Sequence, residues 1–214
     1  VVAKYVIELS DAATSEVAEA LVLETEQGAD LLALAGKGHP LRPGDSLPLS
    51  ASDVERIVDR FDLTPHNSSL NGWLRAWSAW DELPYPVHTG RELRMLLAGE
   101  KPLAAFVDDM PDVPDNGIVP EEIFTSYVSA GRLIKRDRES SRSGRPCRDV
   151  LYALPSEVWR MDAYLLLLDI LDQGCWSEGM ERMQGRLLGY TDSQNDAYIA
   201  FLRKRTAGVG SAHR

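Results

Sequence analysis

From Ser156 to Leu171 the chain carries Val158, Trp159, Met161, Tyr164, Leu165, Leu168 and Leu171 at positions that cover nearly every side of a helix. A helix that is apolar all round has to be enclosed, so this segment is expected to be a central buried element, stopped at Gly174. At the usual ~100–200 residues per domain, a chain of 214 residues holds one such core or two small ones. The most apolar run, Ala163 to Leu168, is closed by Asp162 and Asp169. It falls well short of the ~20 apolar residues of a spanning helix, so no membrane partner is expected.

The other elements follow from local signals. Lys4 to Leu9 alternates apolar and polar residues as a half-buried strand does. Asp11 to Ala35 is ambiguous. Thr14-Ser15-Glu16 starts like a capped helix, while the apolar runs flanking Gln27-Gly28 also fit a hairpin, and the balance favours a helix followed by a strand. Three prolines and three glycines make Gly36 to Ser50 a loop. Ser52 with Glu55 forms a capping-box pair ahead of Val54, Ile57, Val58 and Phe61. Trp73, Trp77 and Trp80 fall at i, i+4 and i+7, which predicts a helix over about Leu70 to Glu82 with three indoles on one face, most simply turned into a core.

Thr89 with Glu92 is a second capping-box pair, and Gly99 closes the helix it opens. Pro102 to Val107 reads as a buried strand. Pro120 opens a helix that Gly131 ends. Arg132 to Arg138 and Asp149 to Leu154 then read as the strands of a long hairpin. Ser177 caps a helix containing Met180, Met183 and Leu187, and Thr191 with Gln194 opens the last one, which ends on Arg203, Lys204 and Arg205.

The resulting fold class is α+β: about seven helices with a small, mainly antiparallel sheet that includes the basic hairpin of about 132–154. The expected organisation is a single domain over 1–206, with a smaller amino-terminal lobe over 1–64, a main helical core over 89–206 and a flexible tail over 207–214.

Thirty-three acidic residues against 23 basic ones give a net charge of −10, which excludes a surface that tracks a phosphate backbone or an anionic bilayer over its whole extent. Cys147 and Cys175 belong to no CxxC pair, so neither a disulfide framework nor a structural zinc site is expected. With no export signal in Val1 to Leu9, the expected compartment is the cytoplasm. Val1 itself fits either a trimmed chain or an alternative start codon read literally, as in bacteria.

Several motifs are too weak to carry chemistry. Gly44-Asp45-Ser46-Leu47 spells the tetrapeptide of the GDSL esterases and lipases, but no buried strand precedes it and none of His39, His66, His88 or His213 follows an aspartate by three residues. The histidines show no metal-ligand spacing, and Gly36-Lys37-Gly38-His39 is not a phosphate loop.

Two charged segments are better candidates. Asp108 to Glu122 holds six acids, no base and three prolines. Asp108 and Asp109 at a strand end, with Glu121 and Glu122 at a helix start, are the oxygen ligands that a hard cation such as Mg²⁺ or Ca²⁺ takes, and a bound Mg²⁺ activates water for phosphoester hydrolysis. Between Gly131 and Arg148 seven bases, Arg132, Lys135, Arg136, Arg138, Arg142, Arg145 and Arg148, face only Asp137 and Glu139. This local +5 leaves −15 for the rest of the chain, and guanidinium forks bind oxyanions in pairs of hydrogen bonds.

Over about 34 residues, Glu121 to Leu154 resembles the recognition helix and wing of winged helix-turn-helix domains, which implies nucleic-acid binding. A strand and a proline-broken acidic loop stand where that family's preceding helix belongs.

No resemblance supplies a catalytic constellation. The expected function is therefore a non-enzymatic cytoplasmic binding or regulatory protein, without a cofactor, whose arginine-rich hairpin and acidic body meet a protein partner by complementary charge. The alternatives are a metal-dependent hydrolase using the acidic segment and a nucleic-acid binder using the hairpin.

Overall fold

The computed structural model describes residues 2–10, 17–36, 41, 46–66, 71–109, 119–142 and 144–210, with side chains to residue 205. The class is α+β, and the strands form two antiparallel sheets. They belong to two compact units, Val1–Glu82 with Pro86–Arg91, and Leu83–Tyr85 with Glu92–Arg214.

In the first unit β1 (Ala3–Ser10), β2 (Val17–Thr25), β3 (Ser46–Leu49) and β4 (Gly72–Ala76) form a sheet in the order β2-β1-β4-β3. Tyr5, Ile7 and Leu9 alternate onto one face with Leu23, Leu49 and Leu74, and pack against Leu31 and Leu32 of α1 (Gly28–Leu34) and Val54 and Ile57 of α2 (Ala51–Phe61).

Three expectations are corrected here. The segment after β1 is a strand followed by a helix, the reverse of the predicted order, because Val17 to Thr25 finds a full antiparallel ladder against β1. The α2 cap is Ser50, whose hydroxyl accepts the Asp53 N–H while the Asp53 carboxylate accepts the Ser50 N–H, a box two residues ahead of the predicted one. The tryptophan segment is the strand β4 followed by a 3-10 turn, Ala79–Glu82. Pairing with both β1 and β3 overrides the helical spacing, and Trp73 stands 41% exposed on the outer sheet face, away from the core.

In the second unit β5 (Leu103–Asp108), β6 (Ile134–Arg142) and β7 (Arg145–Ala153) form a sheet in the order β5-β7-β6. The helices are α3 (Glu92–Leu97), α4 (Glu121–Ser129), α5 (Val158–Asp172), α6 (Glu178–Leu187) and α7 (Asp192–Gly210). α3 begins at Glu92, after a turn at Gly90, and its end is set by Gly99 at φ +72°. There the Glu100 N–H reaches the Met95 carbonyl and the Gly99 N–H that of Leu96, as in a Schellman cap.

The hairpin lies within the predicted bounds, but its strands run further towards the tip than predicted, with Arg142 opposite Arg145 across a turn that contains Gly144 at φ +77°. Ser177 and Thr191 cap α6 and α7 as expected. α7 runs to Gly210, so Arg203 to Arg205 lie inside it, and Arg203 holds Glu178 of α6 through two nitrogens.

The central strand β7 is buried on both sides. Leu151 and Ala153 join Leu103, Met161, Tyr164, Leu167, Leu168 and Leu187 under α5 and α6, whereas Val150 and Tyr152 join Leu93, Leu96, Ala104, Phe124 and Leu133 under α3 and α4. The predicted central helix, α5, is therefore an outer layer with one buried face. The enclosed element is the strand.

Candidate functional site

The pleat of β6 sends successive side chains to opposite sides of the sheet, and this splits the basic run in two. Arg136, Arg138 and Arg142 turn towards α5. There Asp162, Asp169 and Asp172 recur at i, i+7 and i+10, on one side of the helix. Arg136 bonds Asp162. Arg138 bonds Asp169, Asp172 at 2.9 Å and Asp149 at 3.2 Å, and Arg142 bonds Asp149 at 2.6 Å. Asp149 is buried on β7 and also accepts a hydrogen bond from Ser140 Oγ at 3.1 Å. Burial works against the charge on Arg142, but Asp149 and Asp172 outweigh it and its pKa is raised.

On the opposite side Lys135 bonds Glu121 and, at 3.1 Å, Asp137. Arg148 bonds Glu121 at 2.6 Å and reaches Asp108 at 3.5 Å. The hydrogen bond from Lys135, with a further one from Arg148, holds the Glu121 carboxyl below its ordinary range against the opposing effect of burial. Arg132 lies over the Tyr127 ring at 5.1 Å. Arg145, at the hairpin tip, is exposed and has no ionic partner among the described residues.

The expected arm of unopposed positive charge is thus corrected. Five of its seven bases, Lys135, Arg136, Arg138, Arg142 and Arg148, are matched to carboxylates of α4, α5 and the sheet itself. An incoming oxyanion meets at each of them a cation that already faces an internal carboxylate.

The acidic candidates are placed just as plainly. Asp108 and Glu121 come together, but on the guanidinium of Arg148, while Asp109 and Glu122 are exposed. Among the described residues no group of three or more His, Cys, Asp or Glu side chains is arranged to hold a metal ion. A cation there has to compete with Arg148 and Lys135. Asp112 and Asp115 lie outside the described residues. Ser46 of the esterase-like tetrapeptide opens β3 opposite Arg75, and Gly44 and Asp45 are again outside the described residues.

The feature that sequence reasoning missed is the outer side of α5. Trp159, Ala163, Leu166 and Ile170 fall four, three and four residues apart, within an arc of about 60° at 3.6 residues per turn. Trp159 is 55%, Leu166 63% and Ile170 38% exposed. The Arg160 guanidinium covers part of the Trp159 ring at 4.7 Å. One margin of this ridge is the row of Asp162 and Asp169 with their β6 arginines. Trp176, just ahead of the α6 cap, and Met183 on α6 are exposed as well, Trp176 donating from Nε1 to Glu181 at 2.7 Å. The available signal was the all-round apolarity of α5, read as burial when half of it marks an outward face.

Among the described residues no helix is long and apolar enough to cross a membrane. No known protein family, curated protein or solved structure matches the chain.

Proposed function

We propose that the chain is a non-enzymatic binding protein that works through a protein–protein contact on the outer face of α5, with the arginine–aspartate pairs of the hairpin as its polar margin. One observation carries this reading. α5 carries apolar side chains on two faces, the sheet covers one of them, and Trp159, Leu166 and Ile170 on the other remain uncovered. Tryptophan and arginine are the residues most often found at the energetic centre of protein contacts, and a rim of paired charges keeps such a centre dry and sets its orientation. Complementary charge, expected from the composition to be the main attraction, has in this reading the subordinate role of the rim. The exposed thiol of Cys175 suits a reducing compartment such as the cytoplasm.

The test compares the tagged wild-type chain with its Leu166→Arg and Arg145→Ala variants, each recovered from the cells that make it. The reading expects proteins retained by the wild type and by Arg145→Ala to be lost from Leu166→Arg. Retention of the same set by Leu166→Arg overturns it, and selective loss from Arg145→Ala moves the contact to the hairpin tip.

A further inference from the structure

We draw no further inference here: the strongest candidate, the outer face of the amino-terminal sheet where exposed Trp73 and Val22 share a side with Arg75, carries nothing, because Glu8 and Asp81 already bond that guanidinium and nothing in the structure shows what covers the face.

Discussion

Lys101 is 3% exposed, and its ammonium donates to the Leu188 carbonyl at 3.0 Å and lies 5.5 Å from the centre of the Tyr190 ring. Burial, only partly opposed by the charge of Glu92, pulls its pKa down to about 8. In the unfolded chain the same amine titrates near ~10.4. Between these two values the unfolded state holds the extra proton, so stability rises with pH across that window, by on the order of 3 kcal/mol at most. Urea denaturation from pH 7.5 to pH 10.5 is expected to show the wild type gaining on Lys101→Met, which has no proton to lose. Parallel pH profiles for the two proteins would mean that the amine keeps its ordinary affinity for a proton.

Asp149 is the corresponding residue on the hairpin. It is 1% exposed and accepts from Arg138, Arg142 and Ser140. Removing one partner of a buried ion pair costs about 3–5 kcal/mol because the other charge is left uncompensated. Asp149→Ala is expected to lose stability in that range, and Asp149→Asn, which keeps an acceptor, to lose less. Equilibrium denaturation of the two variants measures the difference.

At the level of elements, what the sequence made legible depended on whether the determining contact is local. Caps are local, and Ser177 and Thr191 behave as read. The α2 cap was misplaced because Ser50 and Ser52 lie two residues apart with Asp53 and Glu55 each three residues on, so the same pattern occurs twice in overlapping frames. The frame that forms is the one in which the Asp53 carboxylate also accepts the Ser50 N–H at 2.9 Å and bonds Arg56. Ser50→Ala is therefore expected to cost about 1 kcal/mol and Ser52→Ala much less, as thermal melts of the two variants can show.

Strand pairing is not local, and the tryptophan segment shows the consequence. The four-three spacing of Trp73, Trp77 and Trp80 is helical on paper, but Gly72 to Ala76 is held between β1 and β3, whose residues lie far away in sequence. The second sheet was more legible, because its hairpin is a local structure. Val150 to Ala153 even carries a mark of double-sided burial, an unbroken apolar run. That mark was outweighed by the stronger run in α5.

For the whole molecule, composition correctly located where charge is concentrated and could not say what neutralises it. The arginines of β6 find their acids 26, 31 and 34 residues further along, on a helix whose acidic side is readable but whose docking face is not. The same helix shows how burial is misjudged. α5 has apolar side chains for two faces, and the sheet covers one. What remains is a ridge of Trp159, Leu166 and Ile170 beside a margin of paired charges, and the proposed function stands on that ridge.

Incorporation of a photo-crosslinking amino acid at position 166 in living cells, with the exposed position 55 of α2 as control, tests the ridge most directly. The account predicts covalent adducts to another polypeptide from position 166 and none from position 55. An uncrosslinked chain at position 166, or equal adducts at both positions, would contradict it.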